Sequence, residues 1–199
     1  MRLTAALFLG GRSTRMGSDK ALLEVGGRPL WWIQWQKLRS LQPSRLLVSA
    51  RPGQDVPVPP PPVEVVRDAG AEMGPLAGLI ACLETIQLDG PGALLLVLGV
   101  DLPRLPTALL QDLVFAADPG CGVVVRHGPH YQTLAAVYPA EMLELARRRA
   151  RFGHYALQGL VHDGLELGLL EETTLRRLGD WPEEVFDNLN TPEDLKKMQ

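Results

Sequence analysis

Six apolar residues in a row, Ala93-Leu94-Leu95-Leu96-Val97-Leu98, constrain this chain more than any other stretch. A strand without polar alternation has no face to give to water, so both of its faces must be covered. Apolar runs of strand length recur at residues 3–9, 45–50, 63–66, 93–99, 122–126 and 132–138. Between several of them lie segments of helical period, at 29–41, 75–88, 106–117 and 139–151. Each of these starts at a proline (Pro29, Pro75, Pro106, Pro139), which the first helical position tolerates because its missing N–H would have no partner there. In the first of them Leu30, Trp32, Ile33, Trp35 and Leu38 can share a broad face. Strands alternating with helices predict an α/β chain, a single Rossmann-like three-layer sandwich on a mostly parallel sheet. Ligands of such a fold sit at the carboxyl ends of the strands.

With 199 residues, 46% of them hydrophobic, the chain can bury one proper core, so residues 1–199 are read as a single domain. A net charge of −3 argues against a general nucleic-acid binder, which needs a basic surface for phosphates. The cations are local instead: Arg12, Arg15 and Lys20 early, then Arg147, Arg148, Arg149 and Arg151. That later cluster reads either as a solvated helix face or as a contact for a second substrate's phosphate. No apolar run approaches the ~18 residues of a membrane span, and Met1-Arg2-Leu3 leads straight into a strand-like run rather than a signal peptide. Cys82 and Cys121 have no metal-type spacing, which predicts free thiols in a reducing cytoplasm. The proline run at 57–62 (PVPPPP) reads as a stiff surface connection or as a peptide ligand for a partner domain. His127, His130, His154 and His162 are scattered and make no convincing zinc site.

The first strand-like run ends in GGRSTRMGSDK, residues 10 to 20. Gly11 and Gly17 have five residues between them and Ser18 follows, so the G-x-x-x-x-G-K-[ST] phosphate loop fails. Adjacent Gly10 and Gly11 do not complete G-x-G-x-x-G either. The physical logic of an anion site remains. Glycines let backbone N–H groups approach a ligand. Arg12 and Arg15 have the fork geometry for phosphate oxygens, and Lys20 supplies a compact charge. Asp101 follows the most apolar strand; a carboxylate at a buried strand end is costly unless paired or bound to a cation. It is read as a helix cap or turn residue, or as a ligand of Mg2+, which usually takes few carboxylates plus substrate phosphates.

Residues 10–30, GGRSTRMGSDKALLEVGGRPL, resemble the triphosphate-wrapping signature of nucleoside-triphosphate transferases. Three further segments agree in order: DAGAEMGPLAGL (68–79), VLGVDLPRLP (97–106) and FDNLNTPEDL (186–195). Together they are most similar to the molybdenum cofactor guanylyltransferases, the MobA-like proteins. The resemblance spans the chain and implies the nucleotidyltransferase type of fold, with nucleotide bound by about 1–105 and acceptor by about 106–199. It implies transfer of GMP from GTP to the molybdenum-loaded pterin cofactor, with release of pyrophosphate.

By the same resemblance Asp101 holds Mg2+, while Lys20 and Arg15 neutralise phosphates. Phe8, Leu9, Gly10, Gly11 and Asp68 join Lys20 and Asp101 around the nucleotide, and Asn188 and Asn190 serve the metal or the acceptor. Backbone groups of residues 8–10 and the Asp68 carboxylate suit guanine, whose edge presents two donors beside an acceptor. Gly74 and Gly78 read as close-approach positions at a helix start or as ordinary packing glycines. Transient docking with proteins that supply or receive the cofactor is expected. Three departures from the family's pattern stand out: Leu9 replaces a small residue and bears on the base pocket, Gly99-Val100 replaces proline-cysteine, and Thr133 stands where proline is frequent and bears on the second substrate's site. CTP in place of GTP, a sugar-phosphate acceptor, and a non-catalytic nucleotide-binding regulator are the alternatives.

Overall fold

The structure is a computed structural model and describes residues 2–9, 20–54, 63–67, 72–189 and Asp194. In chain order its elements begin with β1 (Leu3–Phe8), a small hairpin of β2 (Glu24–Val25) and β3 (Arg28–Pro29), α1 (Leu30–Ser40) and β4 (Arg45–Ala50). Next come β5 (Glu64–Arg67), α2 (Pro75–Gln87), β6 (Leu94–Gly99) and α3 (Thr107–Ala116). The second half holds β7 (Gly122–His127), β8 (His130–Pro139), α4 (Met142–Arg151), α5 (Leu157–Glu166), β9 (Leu170–Thr173) and α6 (Leu175–Gly179).

Seven strands make one sheet in the order β5-β4-β1-β6-β8-β7-β9. β1 pairs in parallel with β4 and β6, and β5 with β4. β8 is antiparallel to both β6 and β7, and β9 is parallel to β7. Within this sheet β8 alone runs backwards, so its start lies beside the carboxyl ends of the other six strands. That edge collects the loops that carry chemistry.

The apolar run at β6 is buried at every position because the sheet is covered on both sides. Its side chains alternate between two cores: Leu94, Leu96 and Leu98 join α1 and α3, while Leu95 and Val97 join α2, α4 and α5. The result is the expected α/β three-layer sandwich.

The expected strands and the four expected helices all form, with shifted starts. Pro75 is the first residue of α2, but Pro29 and Pro106 are the capping residues before α1 and α3. Pro139 ends β8, three residues before α4 begins. The buried stripe of α1 also differs from expectation. It runs through Leu30, Gln34, Trp35 and Leu38, with Trp32 and Ile33 only partly covered. The proline run at 57–62 lies outside the described residues.

Candidate functional site

The path to the site starts at the β2–β3 hairpin. Gly26 and Gly27 both have positive φ, 58° and 74°, as a tight two-residue hairpin turn requires. Ahead of the hairpin, Ala21 is 1% exposed and packs in the α1-side core. Burying Ala21 fixes the neighbouring Lys20, the first residue of a 3-10 turn closed by the Leu23 amide donating to the Lys20 carbonyl at 3.1 Å.

Asp101 lies two residues past the end of β6. Burial raises its carboxyl pKa; the charge of Lys20 and the residue's own backbone N–H pull it back down. Lys20 and Asp101 are therefore electrostatic neighbours across 81 residues of sequence. The turn around Asp101 is tied down on several sides. The Val100 amide donates to the Phe8 carbonyl at 3.0 Å, and the Leu189 amide donates to the Asp101 carbonyl at 2.9 Å. That second bond brings the segment with Asn188 to the turn. Val185, Phe186 and Leu189 anchor this segment in the core and leave Asp187 and Asn188 exposed. Arg104 donates to Asp187 at 2.8 Å, a second link between the two loops.

From below, helix α1 holds the same turn. Gln34 is fully buried and its Nε2 donates to the carbonyls of Gly99, at 3.2 Å, and Leu102, at 2.7 Å. Its Oε1 is buried with no hydrogen-bond partner among the described residues. One helical turn on, Lys37 Nζ donates to the Pro103 carbonyl at 2.7 Å, and burial lowers this ammonium to about 8. Sequence reasoning missed both residues. The available signal was a polar residue at 34 between Leu30 and Leu38, spaced four apart on one helical stripe.

The glycines of the site act through space. A Cβ on Gly99 would stand 2.8 Å from Asp101 Oδ1 and 3.2 Å from Leu134 Cβ, so the residue before Val100 must stay bare for the carboxylate to sit where it does. Gly74 has φ 58° and ψ −144°, a backbone that favours glycine, and hands over to Pro75 at the start of α2. Gly78, one turn into α2, would collide with the Ser49 hydroxyl and crowd Phe8 if it carried a side chain. Of this pair, one glycine turns the chain and the other packs α2 onto β1 and β4, the packing reading.

The side chains of the first-strand residues go to packing, which leaves only backbone groups here for a base. Phe8 and Leu9 are 4% and 2% exposed, and their side chains fill the two opposite cores. The Leu9 amide donates to the Ser49 carbonyl at 3.2 Å, and the Phe8 carbonyl is taken by Val100. Leu9 thus departs from a small residue by filling core. Gly10, Gly11, Arg15, Asp68 and Asn190 lie outside the described residues.

In the second half, Arg147 pairs with Glu84 at 2.8 Å and Glu144 at 2.7 Å, and Arg149 with Asp163 at 2.7 Å. These arginines bind α4 to α2 and α5, while Arg148 and Arg151 are exposed. The β7–β8 hairpin reaches the same edge as Asp101. His127 lies 5.5 Å from the Phe186 ring and 3.8 Å from a Glu183 oxygen, on the segment that leads to Asn188. The Thr133 carbonyl accepts from the buried Tyr138 hydroxyl at 2.8 Å.

The sheet is covered on both faces, and a lysine-flanked carboxylate lies beyond its central strand, at the edge where α/β folds bind their ligands. The chain belongs to the MobA-like NTP transferase domain family, whose pattern matches residues 5–163. It is 36% identical to a probable molybdenum cofactor guanylyltransferase of Opitutus terrae, over 96% of this chain and 92% of that one. It is 31% identical to a molybdenum cofactor guanylyltransferase of Cereibacter sphaeroides, over 100% and 96% of the two chains. The fold matches molybdopterin-guanine dinucleotide biosynthesis protein A from Archaeoglobus fulgidus with a TM-score of 0.71 at 20% identity, over 98% of this chain and 96% of that one.

Proposed function

We propose that this protein transfers GMP from GTP to the molybdenum-pterin cofactor and releases pyrophosphate. The observation that carries the reading is the convergence of Lys20, Asp101 and the 187–189 segment on one sheet edge. The names of its relatives supply the choice of nucleotide and acceptor.

In the reaction an acceptor phosphate oxygen bonds to the α-phosphorus of GTP, and the bond to the bridging oxygen of the β-phosphate breaks. No protein nucleophile is needed, because positioning and charge neutralisation do the work. Lys20 neutralises phosphate oxygens beside Asp101. Arg15 adds a second cation, and Asp68 with the Leu9 carbonyl and the Gly10-Gly11 backbone takes the guanine donors. Asn188 and Asn190 face the acceptor. Residues of about 1–105 hold the nucleotide and those of about 106–199 the acceptor.

The chemistry of the site fits Mg2+. Asp101 is a hard oxygen donor whose burial makes an uncompensated charge unfavourable. Among the described residues no three His, Cys, Asp or Glu groups cluster as a dedicated cage. One carboxylate plus substrate phosphates is how Mg2+ is usually held. Bound there through Asp101, it would neutralise charge that develops on the triphosphate. Cytoplasmic placement and passing contacts with proteins that supply or take up the cofactor complete the proposal. Cys82 and Cys121 form no disulfide, and among the described residues no helix is long and apolar enough to cross a membrane.

The test is pyrophosphate release with molybdenum-pterin acceptor and each of the four triphosphates, with Mg2+ present and absent. GTP should exceed ATP and CTP by about tenfold or more, since each mispaired buried polar group costs on the order of 1–3 kcal/mol. Preference for CTP would move the assignment to cytidylyl transfer, and release without acceptor would remove the acceptor from it.

A further inference from the structure

The Asp101 turn has no regular ladder of its own, yet its position decides where the carboxylate points. Residues 99–103 leave β6 and reach α3 through a turn in which the Leu105 amide bonds back to the Leu102 carbonyl at 3.2 Å. The remaining carbonyls need partners from elsewhere. Helix α1 supplies them for Gly99 and Pro103 and adds a second donor at Leu102, through two side chains, Gln34 and Lys37, spaced i,i+3 on one face.

Gln34 makes no sense as a packing residue alone. Its neighbours on the stripe are Leu30, Trp35 and Leu38, and a leucine or methionine there would bury the same volume without an orphaned oxygen. What the amide uniquely supplies is one nitrogen that holds the Gly99 and Leu102 carbonyls together. Those carbonyls lie on either side of Asp101, two residues before it and one after. Pulling them to a common donor fixes the span of the turn, and hence the direction of the Asp101 side chain above Gly99. Lys37 extends the hold to Pro103.

We propose that Gln34, seconded by Lys37, is the positioning residue for the reaction, acting through Asp101 and touching neither substrate. The inference rests on the reading of Asp101 as the metal-binding carboxylate. It predicts a split between rate and stability. Gln34→Met keeps the volume, removes the two donated bonds and removes the orphaned oxygen.

The experiment measures kcat, KM for GTP, the Mg2+ concentration for half-maximal rate, and the unfolding midpoint. Wild type, Gln34→Met, Asp101→Asn and the double variant are compared as full chains. Gln34→Met should lower kcat by about tenfold to a hundredfold, the scale of misplacing a reacting group. It should also raise the Mg2+ requirement severalfold and leave KM for GTP within about twofold, since the nucleotide's other contacts are untouched. In the Asp101→Asn background the same change should cost less than about threefold, because residues that act as one unit are not additive.

Unchanged kcat and Mg2+ requirement in folded Gln34→Met would overturn the inference while leaving the role of Asp101 intact. An undiminished loss in the double variant would also overturn it, because the effect would then bypass Asp101. Full activity of Asp101→Asn alone would strike the underlying reading of the carboxylate, and the inference with it. If Gln34→Met does not fold, Lys37→Met carries the test. It should lower kcat by about threefold or more with a raised Mg2+ requirement, and unchanged values there overturn the proposal.

Discussion

Two glutamines hold backbone on opposite sides of this sheet, and among the described residues only one of them uses both ends of its amide. Gln158 of α5 uses both ends of its amide on Tyr131: Oε1 accepts the Tyr131 amide at 3.0 Å and Nε2 donates to its carbonyl at 2.8 Å. Tyr131 lies four residues outside Ala135, where the pairing of β8 with β6 stops, so this side chain stands in for missing sheet. Gln34 donates twice and leaves its oxygen bare. A complete pair is what stability alone selects, since an unpaired buried acceptor costs about 1–3 kcal/mol. The incomplete one sits under the Asp101 turn. Such a cost at a strand's carboxyl end, beside Asp101, is one that function rather than folding can set.

The contrast makes the Asp101 turn a place where changes should strike rate, and the Gln158 contact a place where they should strike stability. The largest effect belongs to Asp101→Asn, which should fold normally and lose about a hundredfold or more in Mg2+-dependent turnover, the scale of removing one preorganised charge contact. Normal turnover would erase the functional half of the comparison. Gln158→Leu should lower stability by about 1–3 kcal/mol by stranding two backbone groups of Tyr131. Denaturant unfolding measures it, and a loss below about 0.5 kcal/mol would mean the pair is ornamental.

Gly99→Ala falls next in size. Its methyl group would meet Asp101 Oδ1 at 2.8 Å, an atom free to swing away, so the carboxylate gives before the fold does. Turnover should fall by about tenfold with a small shift in unfolding midpoint. A large stability loss with normal kcat per folded molecule would place the strain in the sheet at Leu134.

A further effect is a pH dependence at Lys37. In the unfolded chain its ammonium keeps its proton to about 10.5, and in the folded protein it loses it near 8. Between those values the unfolded state binds more protons, so stability contributed by this group rises with pH. Wild type should therefore gain stability relative to Lys37→Met from pH 8 to 10. Cys121, Tyr131 and Tyr138 have raised pKa values and act in the opposite sense, but they are common to both proteins and cancel in the difference. A flat difference would mean the ammonium is well hydrated.

Long apolar strands were legible because burial on both faces leaves no polar letter in them. β9 was not: LEET is four residues long with two glutamates, and its place at the sheet edge demands little hydrophobicity. α5 carries Gly159 and Gly164, which weaken a helical pattern, yet both are bare for a spatial reason. A Cβ would strike the Arg149 guanidinium at one and Met142 and Leu170 at the other. Asp101 was legible from the abrupt carboxylate after β6. The side chains that hold its turn were not, because Gln34 and Lys37 are 67 and 64 residues away and reach the neighbouring carbonyls only through the fold.

The central claim, that Asp101 joins metal to triphosphate at this edge, is met most directly by calorimetric binding of GTP with and without Mg2+. In wild type the ion should tighten GTP binding by about tenfold or more, a coupling of about 1.4 kcal/mol. In Asp101→Asn the two affinities should agree within about twofold, with the fold retained. An equal Mg2+ enhancement in both proteins would contradict the account and place the metal elsewhere.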